Sequence, residues 1–148
     1  TIRFKAPKIM FLQGSDKLKT RFKKILKNFC PRYISVLRSN FKPGEIHEVR
    51  IIGHSSSEWG TKKRRKIYIS NADLSLNRSF NVHKFCYDNL PRKSQKAWFS
   101  QRAVTIGANY VHKIKKQGKE IKSLSRRVEF RAQLKILSDL REEFIKIR

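Results

Sequence analysis

The sequence predicts an α+β fold in which helices pack on one mixed four-stranded sheet and a further helix ends the chain. Segments with the period-two or β-branched pattern of strands alternate with segments whose apolar residues recur every three or four positions, as in helices. The chain has 148 residues, 39% of them hydrophobic, which is enough for one domain with its own core. It contains no apolar run of about 18 residues, the length that a membrane-spanning helix needs.

The first half of the chain is expected to hold two strands and one helix. Residues 8–12 are a short apolar run that predicts a buried strand, and residues 13–16 predict a turn that caps the following helix. Pro31 predicts a break, because proline lacks a backbone N–H. Residues 46–52 alternate and predict the second strand. The apolar stripe of the helix consists of Leu18, Phe22, Ile25, Leu26 and Phe29.

The second half is expected to begin with a basic loop, residues 54–70, followed by a long helix that Pro91 ends. A short helix is predicted over residues 93–102, and strands over residues 103–108 and 127–134. The buried stripe of the long helix consists of Ser75, Ser79, Val82, Cys86 and Leu90. Its small residues predict that another element packs closely against the start of this helix.

The chain divides into a domain over residues 1–134 and a helical tail over residues 135–148. We expect the apolar stripe of the tail to pack against the domain, with pairing to a second copy as the alternative. This stripe consists of Leu137, Leu140, Phe144 and Ile147.

The charge balance is the most unusual feature of the composition. The 36 Lys and Arg residues exceed the 11 Asp and Glu residues by 25. Such an excess favours anionic partners: nucleic acid, anionic lipid, or a polymer rich in carboxylates or phosphates. Two basic clusters, residues 62–66 and 113–122, fall in predicted loops, where they are free to contact an extended polyanion.

The two cysteines, Cys30 and Cys86, allow one disulfide bond but do not demand it. We predict that they are buried and unlinked, with a disulfide bond as the alternative. His83 and Cys86 lie on adjacent turns of a helix, but no second pair has the spacing of a metal site. We therefore expect no metal and no cofactor.

The sequence contains no recognisable arrangement of catalytic residues. The 11 carboxylates are scattered, without a pair at convincing catalytic spacing. No Ser/His/Asp or Cys/His arrangement stands out either. The sequence thus predicts a binding protein rather than an enzyme.

Four segments, in order, resemble the OmpA-like domain, the peptidoglycan-binding module of OmpA, Pal and MotB. They are IMFLQGSDKL (9–18), GHSSSEWG (53–60), NADLSLNRS (71–79) and SRRVEFR (125–131). The resemblance covers about residues 8–134. It implies the family's fold, with helices on one sheet, and the family's ligand, the stem peptide of peptidoglycan.

By this resemblance, one face of the long helix forms the ligand pocket. Asn71, Leu74 and Arg78 lie at positions i, i+3 and i+7 and so share that face. Arg78 is expected to bind the carboxylate of diaminopimelate, Asn71 to hydrogen-bond the peptide, and Leu74 to wall the pocket. The alternatives are a solvated or helix-paired Arg78 and an Asn71 that is a simple N-cap.

The loop after the second strand departs from the family pattern. Ser55 and Ser56 stand where the family usually has Thr and Asp, and a hydroxyl cannot neutralise the ammonium of the ligand. Glu58 could supply the missing carboxylate, with an ordinary surface role as the alternative. Arg127, in the closing strand, is also assigned to the peptidoglycan site by resemblance.

Two further residues of this loop have structural interpretations. His54 is expected to orient the loop through hydrogen bonds rather than to bind metal. Trp59 is expected to close the core, with stacking on sugar or peptide as the alternative.

The resemblance implies a non-catalytic anchor in the periplasm that holds a membrane protein to the cell wall. A MotB-like stator subunit is the expected parent, including its counterpart in the Zorya phage-defence system, and an outer-membrane lipoprotein is slightly less favoured. The chain shows no signal-peptide pattern. It begins at Thr1 and not at a methionine, so we expect it to be part of a longer protein that supplies the membrane segments and a possible homodimer contact.

The alternative function is a basic domain that binds nucleic acid, of the ribosomal or mobile-element type. The abundance of Lys and Arg with interleaved aromatic residues favours it. It leaves the spacing of Asn71, Leu74 and Arg78 unexplained. Binding through many phosphates should weaken steeply with added salt, whereas capture of a peptide by one arginine should not.

Overall fold

The computed structural model describes residues 1–58 and 63–146. The strands are β1 (Ile2–Phe4), β2 (Ile46–His54), β3 (Ala103–Gly107), β4 (Lys115–Lys116), β5 (Lys119–Glu120) and β6 (Arg127–Leu134). The helices are α1 (Pro7–Met10), α2 (Thr20–Asn40), α3 (Arg64–Asp88), α4 (Lys93–Ser100), α5 (Lys122–Ser125) and α6 (Lys135–Lys146). Within these described ranges, no helix combines the length and the apolar character that crossing a membrane requires.

Four strands form one mixed sheet in the order β1-β6-β2-β3. β2 is parallel to β3, and β6 is antiparallel to both of its neighbours. Phe130 and Ile51 are cross-strand partners on one face of the sheet, and the rings of Phe29 from α2 and Phe130 lie 5.0 Å apart. Since α3 crosses the same face at Gly53, both long helices pack on one side. The predicted α+β fold is confirmed.

The backbone of α3 approaches the backbones of β2 and β3 very closely. A Cβ atom on Gly53 would lie 2.1 Å from the carbonyl oxygen of Ser75, and one on Gly107 would lie 2.7 Å from the amide nitrogen of Leu76. Ser75 and Ser79 are fully buried. The close packing that the small residues predicted is therefore present, and it fixes the height of α3 above the sheet.

A disulfide bond joins α2 to α3, so the prediction of an unlinked pair is wrong. It links Cys30 and Cys86, both fully buried, across a sequence separation of 56. Each cysteine lies on the buried stripe of its own helix. The two stripes meet on the sheet, which brings the two sulfur atoms together.

The predicted strand over residues 8–12 is wrong. Residues 7–10 form α1, and Phe11 makes one isolated bridge to Leu18. The first strand is β1, where Phe4 packs edge-on against Phe22. Met10 and Phe11 are nevertheless buried, so the apolar run indicated burial and not an extended backbone.

The helix boundaries differ from the predicted ones at both long helices. A turn does occupy positions 13 and 14, but α2 begins only at Thr20 and has no side-chain cap. Pro31 lies inside α2 instead of breaking it. The buried stripe continues on both sides of this proline, and its packing outweighs the one lost backbone hydrogen bond. α3 begins at Arg64, so part of the predicted loop 54–70 is helical.

The remaining predicted elements are largely confirmed. β2, β3 and β6 lie where strands were expected, and α4 occupies most of residues 93–102, with Phe99 buried. The basic cluster 113–122, which was predicted to lie in a loop, contains the short β4–β5 ribbon. In α6, Leu140 is exposed, which does not fit a tail stripe packed on the domain. The side chains of Leu137 and Phe144 and the whole of Ile147 lie outside the described residues, and the division after residue 134 stays a prediction.

Candidate functional site

Two adjoining cavities lie where α3, the loop after β2, the turn before α2 and the start of β6 meet. We call the smaller one, about 260 Å³, the serine cavity, after Ser55 and Ser56 in its wall. The larger one, about 280 Å³, is the histidine cavity, after His54 in its wall. The residues shared by both walls are Gln13, Glu58, Arg78 and Arg126.

The serine cavity gathers six of the seven predicted site residues. They come from two elements, the loop after β2 and α3. The six are Ser55, Ser56, Glu58, Asn71, Leu74 and Arg78. β2 ends at His54, and Gly53 lies directly against Ser75 and Ser79 of α3, so the loop after β2 and α3 are adjacent in the fold.

Arg78 is the buried cation of the site, with 4% of its surface exposed. Its Nε donates to the carbonyl oxygen of Ser15 at 2.9 Å, and an Nη donates to that of Leu12 at 3.4 Å. The guanidinium also lies 4.8 Å from the centre of the Phe11 ring. No carboxylate among the described residues forms an ion pair with it, so the groups in direct contact with its charge are carbonyl oxygens and an aromatic ring.

The pKa of Arg78 records this environment. Burial lowers its pKa to about 10, the positive charge of Arg126 acts in the same direction, and Asp16 acts against it. Arg78 remains cationic at neutral pH. A buried cation without a carboxylate partner is costly, and an anionic ligand would reduce that cost.

Asn71 and Leu74 form the helical wall of the serine cavity. Asn71 is almost fully buried, and its amide nitrogen donates to the carbonyl oxygen of Ile67, one turn earlier, at 3.1 Å. Asn71 lies seven residues after the start of α3 at Arg64, so the simple N-cap interpretation is wrong. Leu74 is half-buried beside it.

Ser55 and Ser56, which we call the serine pair, form the wall of the serine cavity on the side of the loop after β2. The backbone N–H of Ser55 donates to the carbonyl oxygen of Asn109 at 2.9 Å, which holds the loop in place. The Ser55 hydroxyl is buried and has no hydrogen-bond partner among the described residues. The Ser56 hydroxyl accepts a long hydrogen bond from Arg126 at 3.5 Å.

Glu58 is already paired. Its two carboxylate oxygens accept hydrogen bonds from Arg126 at 2.9 Å and from Lys122 at 3.3 Å. Trp59, the next residue, lies outside the described residues.

No protein-family model matches the sequence. The protein ZorB of the Zorya system of Escherichia coli is 38% identical over 147 residues, which are 95% of this chain. The chain spans 62% of the length of that relative.

Solved structures of Helicobacter pylori MotB share the fold. Its periplasmic domain, residues 97–256, superimposes with a TM-score of 0.60 at 13% identity, over 98% of this chain and 90% of that one. Its C-terminal domain, residues 125–256, gives a TM-score of 0.55 at 16% identity, over 92% and 95%. The chain has the OmpA-like fold of these MotB domains, and its sequence is similar to that of ZorB over almost its whole length.

Arg127 is the one predicted site residue that does not line the serine cavity. It lines the histidine cavity, together with Glu58 and Arg78. Its Nε donates to Glu129 at 2.8 Å, and an Nη donates to the carbonyl oxygens of His112 and Ser125. These bonds hold the start of β6 in the fold.

Glu129 is the centre of a buried charge cluster beneath the histidine cavity. It pairs with three arginines: Arg3, Arg127 and Arg131. Burial by itself raises the pKa of Glu129, but the hydrogen bond from Arg127 and the nearby positive charges lower it to about 2. The carboxylate is therefore ionised throughout the physiological range.

His54 does not orient the loop by hydrogen bonds, contrary to prediction. Its ring is 3% exposed, and neither nitrogen has a hydrogen-bond partner among the described residues. Its Nε2 lies 3.7 Å from a Glu129 oxygen. Burial, with the charge of Arg127, lowers the pKa of His54 to about 4, so the ring is neutral at pH 7.

Arg126 is the site residue that sequence reasoning missed. It lines both cavities and bonds to Glu58 and Ser56. The paired arginines of the SRRVEFR segment were the available signal, since neighbouring residues at the start of a strand point in different directions. Among the described residues, no cluster of three or more His, Cys, Asp or Glu side chains could hold a metal ion.

Proposed function

We propose that this domain binds the stem peptide of peptidoglycan and anchors a membrane protein to the cell wall without catalysis. The supporting observation is the buried Arg78, which faces a cavity walled by Asn71 and Leu74 and has no carboxylate partner among the described residues. The likeness to ZorB and to MotB domains supports a parent of the stator type, in a Zorya phage-defence system.

Arg78 retains the donors that a ligand carboxylate needs. A guanidinium has five N–H groups, and hydrogen bonds to the protein occupy two of them here. The planar fork of the remaining donors suits a carboxylate, for which two parallel hydrogen bonds can form. We assign the diaminopimelate carboxylate to Arg78 and the peptide contacts to Asn71, with Leu74 and the serine pair as the walls.

A periplasmic location fits both the chemistry and the likeness. The Cys30–Cys86 disulfide suits an oxidising compartment outside the cytosol. The structurally similar MotB domains are described as periplasmic. Attachment to the membrane, and pairing into a homodimer, would come from the parent protein.

Co-sedimentation with purified diaminopimelate-type sacculi tests this function. Wild type, Arg78→Ala and Arg78→Lys should be compared at low and at moderate salt, after thermal unfolding has verified that each variant is folded. We expect wild type to pellet at both salt concentrations and Arg78→Ala to stay in solution at moderate salt. Arg78→Lys should bind at an intermediate level, because it keeps the charge and loses the planar fork.

The same experiment tests the nucleic-acid alternative, which the net charge of +25 favours. If wild type and Arg78→Ala pellet equally and only at low salt, the attraction is generic and the anchor proposal is wrong. Binding to nucleic acid, with its steep salt dependence, would then be measured next.

A further inference from the structure

The site offers cations to a ligand but holds its carboxylates in internal pairs. Glu58 is the one carboxylate among the described residues that line the two cavities. Its oxygens are bound by Arg126 at 2.9 Å and by Lys122 at 3.3 Å. An ammonium group of a ligand would have to displace these two cations to reach it.

The other nearby carboxylates are engaged as well. Glu120 accepts hydrogen bonds from both the backbone N–H and the hydroxyl of Ser57. Glu129 is enclosed by its three arginines. Asp16 lines neither cavity. Within the described part of the chain, a ligand cation therefore finds no unpaired carboxylate in these walls.

Groups that favour an anion are, by contrast, available. Arg78 and Arg126 line both cavities, and Lys8 and Lys19 add positive charge to the histidine cavity. The Ser55 hydroxyl, 2% exposed and without a hydrogen-bond partner, lies in the wall of the serine cavity and can donate to a carboxylate.

We infer that the serine cavity takes a carboxylate whose neighbouring nitrogen is acylated, in preference to a free zwitterionic end group. This inference rests on the proposed function. In peptidoglycan, cross-linking converts the side-chain amine of diaminopimelate into an amide, which removes its positive charge and leaves the adjacent carboxylate. The domain would thus select cross-linked stem peptides, where a free ammonium would be repelled by the arginine pair.

Two small probes test this selectivity directly. Meso-diaminopimelate carries an ammonium beside each carboxylate, whereas its N,N′-diacetyl form carries only the carboxylates. Binding is followed by the NMR shifts of backbone amides around Arg78 at moderate salt. We expect the diacetyl form to bind about fivefold more tightly, because one like-charge contact is removed.

The Glu58→Gln variant distinguishes two roles of Glu58, because the affinity for a probe should rise under one role and fall under the other. If Glu58 is only a partner of Arg126 and Lys122, its neutralisation releases these cations, and affinity for the diacetyl probe should rise about two- to fivefold. If Glu58 holds a ligand ammonium, affinity for meso-diaminopimelate should fall instead. Glu142→Gln on α6 removes the same charge outside the site and is the matched control.

Sacculi provide the second readout, since they present the ligand in many copies. Treatment with acetic anhydride caps their free amines, and we expect Arg78-dependent pelleting to persist or increase. Two results would overturn the inference and leave the anchor function standing. One is loss of that pelleting. The other is tighter binding of meso-diaminopimelate than of the diacetyl form, if Glu58→Gln weakens it. Pelleting that never depends on Arg78 overturns the anchor function and the inference together.

Discussion

Reducing the Cys30–Cys86 bond should lower the free energy of unfolding by about 4 kcal/mol. The bond closes a loop with a sequence separation of 56. The loop-closure entropy lost by an unfolded chain of that length corresponds to about 4 kcal/mol at 25 °C. Because both cysteines are already fully buried in the α2–α3 contact, reduction leaves the native packing in place, and the effect arises in the unfolded chain.

Urea unfolding of the wild-type chain, with and without reductant, measures this difference. The reductant must be present while the chain is unfolded, because solvent does not reach the buried sulfur atoms in the native state. The Cys30→Ala/Cys86→Ala variant is the second arm. It should lose at least as much stability as the reduced wild type, since it also loses the two sulfur atoms from the core.

A difference of less than about 1 kcal/mol between oxidised and reduced wild type would refute the loop-closure reasoning. It would mean that the reduced, unfolded chain keeps α2 and α3 close together. A change in the slope of the urea transition would then locate the effect in residual structure of the unfolded state.

Three further predictions concern the packing and the charges around the site. Gly53→Ala should lower the free energy of unfolding in urea by about 3 kcal/mol, because the new methyl group meets the Ser75 carbonyl oxygen. A decrease of less than about 1 kcal/mol would contradict the close approach of the two backbones. Acid titration should show two steps of lost stability, because the pKa values of His54 and Glu129 are both lower in the folded chain than in the unfolded one. The first step, from His54, should fall between about pH 6.5 and 4. The second step, from Glu129, should fall between about pH 4.5 and 2 and be worth about 3 kcal/mol. His54→Gln should remove the first step and leave the second; a first step that persists would assign it to another group. Asn109→Gly should cost less than Asn109→Ala in thermal unfolding, because the residue has φ +53°, and equal losses would place the whole effect in its side-chain hydrogen bonds.

The sequence allowed prediction of those parts of the fold in which the pattern reports burial directly. Apolar residues alternate with polar ones in the sequence of β6, and its apolar residues Val128 and Phe130 are buried. The stripe of α3 repeats at helical spacing. Within the apolar run 8–12, Met10 and Phe11 are buried without joining the four-stranded sheet, so this run could not reveal that β1 forms earlier. Pro31 shows the reverse case, in which a local rule was outweighed by a continuous packed stripe.

The residues of the candidate site also differ in how far the sequence could predict their roles. Asn71, Leu74 and Arg78 belong to one helix, and their shared face follows from spacing alone. The pairing of Glu58 with Arg126 joins residues 68 positions apart and depends on the conformations of two loops. No local pattern could tell whether that carboxylate was available to a ligand.

The hydrogen bonds of Arg78 to the turn before α2 give the domain a mechanical property. A pull on the N-terminal end of the chain meets β1 first, which is held to β6 by three residue pairs. Beyond β1, the pull reaches Leu12 and Ser15, whose carbonyl oxygens are bound by Arg78. Tension on this end is thus transmitted to the guanidinium in the cavity before it reaches the disulfide-linked helices. In the proposed anchor, the side chain that binds the ligand would therefore also carry a load applied to the N-terminal end of the domain.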